Sequence, residues 1–547
     1  MNILLHNPSI WEKKNVSNCT VYLRGTISNI DAICNGLNAK DFAYIAYLLN
    51  TQNSTYAIIV ETIDQIFAAV DHVRSIPLFF DENNISDNAR CLTSNHDRLT
   101  VNSHSVKQMS MTGYVTGNSC IYDKICSILP GQYATFIPGQ NINKENIHNY
   151  FRYISNTYNS INSITIDDQY NSNSKSEFSS IMNSVFSDLV DRISGRKVLL
   201  PLSGGLDSRI VLTNLLEHGH TNILAFSYGV PGNGEMLIAK KIANRLGVEW
   251  IPLPSRPGNA RRLYQSRNGQ AFANYVDGLS ITPSWLDFEA LHQLKELKHL
   301  DNEPVLINGQ TGDFIAGAHI PHHLLTGPAQ DQDVEISLAA KAIKERHFRQ
   351  RTDLHDSYLL NEIEDGLRSD IFGDHNTPNN TSTRTEDIRP AWALFEYWEW
   401  KERQSKAVMV GQRSYDFFGI DWDLPLWDRR LVDFFVNLHP ELKKDRLFLV
   451  EWLKETNYGQ VFDRSWPEID TWPKGRSWIK LLARAAYLIG GTKLKAATYD
   501  RLYYYSTYQN QFALFGYANF TKRSRITKSF VGQATIEWLE NNNIPVP

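Results

Sequence analysis

Cysteine is scarce in this 547-residue chain: Cys19, Cys34, Cys91, Cys120 and Cys126 are scattered, and no two form a C-x-x-C pair. An odd, dispersed set argues against a disulfide framework and a structural zinc site, and fits a reducing compartment. Long apolar runs are missing too. No uninterrupted stretch approaches membrane-spanning length, and "MNILLHNPSIWEKK" offers only a short apolar run before His6, too little for a signal peptide. These absences predict a cytoplasmic protein with no transmembrane segment. A dominant charge is also lacking, since a net charge of −4 leaves no electrostatic footprint for general nucleic-acid binding. The rest, 42% hydrophobic and 21% charged, is ordinary for a globular chain of roughly two or three domains.

Against this background "KVLLPLSGGLDSRIVL", from Lys197 to Leu212, stands out. Val198 to Leu202 form a short apolar run, the pattern of a strand buried on both faces. Ile210, Val211, Leu212, Leu215 and Leu216 recur at helical spacing, so the strand feeds a helix. Gly204 and Gly205 let backbone N–H groups approach a ligand closely. Ser203 and Ser208 add hydroxyls, and the helix N-terminus adds its own free N–H groups. Together they make an anion cradle. Asp207 would repel phosphates unless a divalent cation lay between, and Mg²⁺ is commonly held by one or two carboxylates plus substrate phosphates. The stretch reads as a site for a metal-bound polyphosphate. It lacks the lysine of a Walker loop. The bland alternative is a Gly-Gly turn with an aspartate at a helix N-cap.

The surrounding chain divides in two. Residues 1–153 show short strands with turns ("CTVYLRG", "TYAIIVE", "IFAAVD", "IPLFF", "GQYATFI"). Residues 154–175, rich in Asn and Ser, read as a linker. From 176 to 547 an amphipathic helix through Phe178, Val185 and Leu189 leads to alternating strands and helices, the signature of a parallel sheet covered by helices. "SGGLDS", "SYGVPGNGE" and "NGQTGD" each follow a strand, and ligands of such sheets bind beyond the strands' carboxyl ends. "GDHNTPNNTSTRTED", Gly373 to Asp387, reads as a mobile loop, and a helical, aromatic-rich region follows.

"SGGLDS" resembles the pyrophosphate loop of the ATP pyrophosphatases, and the chain as a whole resembles the asparagine synthetase family. "NGQTGDFIAGAH" is similar to that family's S-G-E-G-S-D-E segment, "WPKGRSW" to its R-P-K stretch and "PLWD" to its P-F-L-D turn. "IFAAVDHVRSIPLFF" and "SILPGQYATF" resemble its glutaminase-domain segments. The resemblance implies a degenerate N-terminal-nucleophile glutaminase-like sandwich followed by an adenine nucleotide α-hydrolase-like synthetase domain with a parallel sheet. It implies ATP and Mg²⁺, with Asp207 and Asp313 holding the metal. Ser203, Gly204, Gly205 and Ser208 would cradle pyrophosphate, Leu202, Phe226 and Ser227 would read adenine, and Gly309 of "NGQTGD" would join this ATP- and pyrophosphate-binding set. Lys474 would neutralise the α-phosphate; a solvated surface lysine is the alternative.

Two departures from the family pattern bear on activity. Asn2 stands where the family has its nucleophilic cysteine, and an Asn carboxamide is no such nucleophile. Gln310 stands where the family has Glu, tied to binding or deprotonating the amine. Gln310 hydrogen-bonds but takes no proton at neutral pH, so the candidates for the acceptor site are Glu235, His319 and Arg403, with a core histidine as the plain alternative for His319. The resemblance implies an AMP-forming ligase joining a carboxylate to ammonia or an amine, with a uronic acid of a surface polysaccharide as one acceptor and a separate glutaminase as one ammonia source. A homodimer is compatible with it. A lasso-peptide or β-lactam type cyclase, a non-catalytic nucleotide-binding scaffold and a tRNA-modifying enzyme are the competing readings.

Overall fold

The computed structural model describes residues 1–94, 99–138, 146–155, 158, 168–229, 231, 233–285, 287–325, 331–351, 353–354, 358–372, 388–463, 476–507 and 514–547. The N-terminal strands are β1 (Asn2–Leu4), β2 (Glu12–Val16), β3 (Cys19–Gly25), β4 (Tyr56–Glu61), β5 (Ile66–Val70), β6 (Phe79–Phe80), β7 (Asn84–Ser86), β8 (Cys126–Ser127), β9 (Gln132–Phe136) and β10 (Ile147–Asn149). They form a sheet of order β10-β9-β5-β4-β3-β2 and a smaller one of order β1-β7-β6-β8. Strand alternation builds the layers. In β4, Ile58 and Val60 pack on the helices Ile30–Ala39 and Phe42–Asn50. Ala57 and Ile59 meet Leu78, Phe80 and Ile85 of the second sheet. Phe79 points outward onto Met109 of the helix Ser103–Thr112. Each large side chain buried in this way stabilises the fold by about 1.5–3 kcal/mol relative to exposure.

The second half is built on β11 (Val198–Pro201), β12 (Ile223–Gly229), β13 (Glu249–Pro254), β14 (Val305–Ile307) and β15 (Asp421–Asp423), ordered β13-β12-β11-β14-β15. Every neighbouring pair runs parallel. Leu199, Leu224 and Leu306 face one hydrophobic layer, while Val198, Leu200, Ala225 and Ile307 face the other. Burial on both faces explains the continuous apolar runs. The chain moves outward from β11 to β13, then returns to place β14 on the other side of β11. The strand order therefore reverses between β11 and β14, and that crevice is where ligands of open α/β sheets bind.

The stretch expected to be a linker differs from that picture at both ends. Tyr158 is buried against Trp392, just after Tyr153 at the stretch's edge is buried against Phe314, and the helix Asp168–Ile193 starts inside it. The aromatics among the Asn and Ser residues tie this part of the chain to the core. The loop expected at Gly373 to Asp387 lies outside the described residues.

The two halves share an interior. His72 Nε2 donates to Trp427 O at 2.7 Å, and Trp400 Nε1 donates to His72 O at 2.7 Å. Arg74, in the left-handed region at φ 57°, donates to Ile128 O and Ser405 O. Lys406 donates to Val115 O and Gly117 O, and Arg413 lies 4.5 Å over the Tyr275 ring. Between these cations a void of about 20 Å³ is left, room for about one water. The C-terminal helix Phe530–Asn541 folds back so that Trp538 reaches Asp277 and the N-terminal core. The basic residues near that end, Lys522 and Arg523, pair with Glu540. Among the described residues no helix is long and apolar enough to cross a membrane.

Candidate active site

The loop after β11 enters the helix Leu206–Glu217 with Gly205 at its N-cap. Ser203 N donates to Ser208 Oγ, and Gly205 N donates to Ser203 Oγ, both at 3.1 Å. Arg209 holds the loop from behind. Its guanidinium donates to Gly204 O and Gly205 O at 3.0 Å each and to Val461 O at 2.6 Å. With these carbonyls committed to Arg209, the loop's shape is held by a charged clamp. This role was missed in the sequence, although a cation directly after "SGGLDS" was the available signal.

The loop after β14 packs directly on the first. A Cβ on Gly309 would lie 2.7 Å from the Asp207 carbonyl carbon, and one on Gly312 would lie 2.9 Å from Asp207 Cγ. Only glycine permits this approach. Thr311 between them adopts φ 82°, uncommon for a β-branched residue. The result sets Asp207 beside Asp313, whose N–H donates to Asp207 Oδ2 at 3.0 Å. Asp207 Oδ1 is buried and has no hydrogen-bond partner among the described residues. Burial, then repulsion by Asp313, pushes the Asp207 carboxyl up to about 7.

His319 bridges Asp313 Oδ2 at 3.3 Å and Glu399 Oε1 at 2.7 Å. Burial alone would lower its pKa, but the hydrogen bonds to Asp313 and Glu399 hold the ring protonated up to about 9. His319 in turn keeps Asp313 ionised below the ordinary carboxylate range, against the effect of burial. Asp207 and Asp313 thus form a strained acidic pair with an unpartnered oxygen, a donor set that suits a hard divalent cation. Among the described residues no trio of His, Cys, Asp or Glu forms a fuller metal cage.

A cavity of about 470 Å³ opens at this crevice. Leu202, Ser203, Asp207 and Ser208 line it from the first loop, and Phe226, Ser227 and Glu235 from the second. Gly309 and Gln310 line it from the third. Ser227 Oγ donates to Leu202 O at 2.6 Å, joining the first two stretches. The chain thereby brings together most of the residues singled out in the sequence. Gln310 is held at both ends of its amide: Nε2 donates to Val408 O, and Oε1 accepts from Gln412 Nε2, each at 2.9 Å. Arg403 donates to Glu399 at 3.0 Å, and neither Arg403 nor His319 lines this cavity. Lys474 and the rest of "WPKG" lie outside the described residues. The sequence did not point to Asp287, Tyr228 and Tyr415, which also line the cavity.

In the N-terminal half, Asn2 belongs to an edge strand and donates to Asn84 Oδ1 at 3.0 Å. The Cys19 thiol is buried between the large sheet and the helix Ile30–Ala39, and burial raises its pKa. All the cysteines are free.

A parallel sheet with phosphate-type loops at its switch point defines the class, a nucleotide-binding α/β domain. Residues 183–455 match the asparagine synthase family model, so this part of the chain is similar to that family. The match supports an ATP-dependent amide-forming ligase as the general type. None of the curated proteins matches the chain. Two solved structures are similar to it at low identity. One is described as the allosteric regulatory enzyme of purine biosynthesis, with 13% identity and a TM-score of 0.15, over 56% of this chain and 59% of that one. The other is glutamine phosphoribosylpyrophosphate amidotransferase from B. subtilis complexed with ADP and GMP, with 12% identity and a TM-score of 0.15, over 57% and 60%. At such a TM-score the likeness carries no argument.

Proposed function

We propose that this chain is an AMP-forming ligase: it adenylates a carboxylate with ATP and joins the acyl group to ammonia or an amine. The observation that carries this reading is the Asp207–Asp313 pair with its unpartnered buried oxygen, set beside a glycine-rich loop at the reversal point of the sheet. Mg²⁺, when bound by these carboxylates, would supply charge neutralisation on the ATP phosphates. Ser203, Gly204, Gly205 and Ser208 would orient the pyrophosphate, and Leu202, Phe226 and Ser227 would flank the adenine. Positioning and charge neutralisation account for most of such catalysis. Lys474 would stabilise the departing pyrophosphate.

The N-terminal half, in this proposal, is a glutaminase-like sandwich without its nucleophile, because Asn2 offers a carboxamide hydrogen-bonded to Asn84. A uronic acid is the proposed acceptor, by resemblance alone. The test is the product set. Purified protein with ATP, Mg²⁺, ammonium and a panel of carboxylates, uronic acids included, should release AMP and pyrophosphate in carboxylate-dependent fashion. It should release no glutamate from glutamine. ADP and phosphate as products would overturn the reading.

A further inference from the structure

The cavity is one-sided in charge. Asp207, Glu235 and Asp287 line it, and among the described residues no lysine, arginine or histidine does. A divalent cation would answer the charge at Asp207, which leaves the other end. Glu235 is exposed at the mouth. Asp287 is half-buried, accepting from Tyr228 Oη at 2.5 Å and also from Tyr415. Tyr415 Oη in turn accepts from Asn308 Nδ2 at 2.8 Å. Burial raises the Asp287 carboxyl, so the group is a better proton acceptor than a surface aspartate.

Opposite Asp287 the helix Val410–Phe417 presents Gly411. A Cβ placed there would lie 3.7 Å from Gln310 Oε1, 3.8 Å from Gln310 Nε2 and 3.9 Å from Asp287 Oδ2. The missing side chain leaves a gap the size of a small cationic nitrogen, flanked by the Gln310 amide and a carboxylate oxygen of Asp287. Gln412 and Val408 hold the Gln310 amide in place beside this gap.

We propose that this gap is the amine subsite, where the nucleophile arrives as ammonium or a primary alkylammonium and Asp287 takes its proton. The proposal rests on the ligase reading above. One N–H proton passes to the Asp287 carboxylate, and the freed nitrogen lone pair forms the C–N bond at the acyl carbon. The C–O bond to the adenylate phosphate breaks, its electron pair leaving on AMP. A second nitrogen proton goes to water, and Asp287 later returns its own proton to water. This supplies the base that Gln310 cannot be, and His319, bound at both ring nitrogens, is not free to be.

The experiment compares a charged with an uncharged nucleophile. A carboxylate that supports ATP–pyrophosphate exchange in the wild type is chosen from the panel. Ammonium and hydroxylamine, the latter uncharged at neutral pH, then serve as probes. Asp287→Asn should keep the exchange within about twofold and lose about a hundredfold or more in ammonium-dependent amide formation. Hydroxamate formation should persist within about threefold. Equal loss with both nucleophiles, or no loss with ammonium, overturns the assignment. Gly411→Ala, which fills the gap and leaves Asp287 in place, should raise the KM for ammonium at least about tenfold with exchange intact; an unchanged KM overturns it as well. A wild type that shows no carboxylate-dependent exchange would instead remove the ligase reading itself.

Discussion

Asp207 is held in a state that folding alone would not choose. Its Oδ1 is buried without a partner, and Asp313 stands beside it. Such strain is typical of a functional site and is offset by the rest of the fold. Asp207→Asn should therefore leave the ligand-free protein as stable as the wild type, or more stable by up to about 1 kcal/mol, while carboxylate-dependent pyrophosphate exchange disappears. Thermal unfolding and the exchange assay on the same preparation check both halves; a clear loss of stability would count against the strain. Asp207 and Asp313 could be read from the sequence because each sits in a short motif behind a strand. Asp287 could not. Its environment is made by Tyr228 and Tyr415, far away in the chain and brought to it only by the packed sheet. Arg209 lies between these cases, since its neighbours are local but its purpose depends on where the loop carbonyls point.

Among elements, the contact between the two loops does most to shape the site. Gly309 and Gly312 allow the turn after β14 to rest on the backbone and side chain of Asp207. Gly309→Ala forces a methyl group into the Asp207–Ser208 peptide, where backbone and not a flexible side chain must yield. The expected cost is about 1–3 kcal/mol, seen as a lower unfolding midpoint, together with loss of nucleotide-dependent activity. A variant with wild-type stability and exchange would show that the loops separate in solution. The strand and helix pattern that creates this contact was readable in the sequence, because both-face burial of a parallel strand leaves a continuous apolar run, as in "VLLP". The limits of the linker were not. Asn and Ser dominate residues 154–175, but a buried tyrosine at 158 and a helix from Asp168 depend on partners such as Trp392 that composition does not reveal.

For the whole molecule, the interface between the halves is sensitive to acid. His72 is buried and donates to Trp427 O across the interface. Burial, then the charge of Arg429, lowers its pKa from 6.5 to about 3. The folded state therefore refuses a proton that the unfolded chain accepts below its ordinary value. No stability is lost above about pH 6.5; below it, His72 withdraws about 1.4 kcal/mol per pH unit until its folded pKa is approached. His347, lowered to about 3 mainly by burial, adds in the same direction. Unfolding midpoints should fall from pH 7 to pH 5, and His72→Gln should flatten that slope by about one proton. An unchanged slope in the variant would place the acid sensitivity elsewhere.

The void between the halves has a bearing on traffic. With Arg74, Lys406 and Arg413 filling the interior around some 20 Å³, nothing larger than a water finds room in this void, and on the proposed reading a nitrogen source would not pass through it. If the proposed ligase takes its amine from bulk solution instead, amine and water would compete for the activated carboxylate by concentration. The coupling of AMP release to amide formation would then be a property of the surroundings as much as of the protein: tight when amine is plentiful, leaky when it is scarce. A ratio of AMP to amide that climbs as ammonium is diluted would be the signature of a ligase that relies on its neighbours for supply.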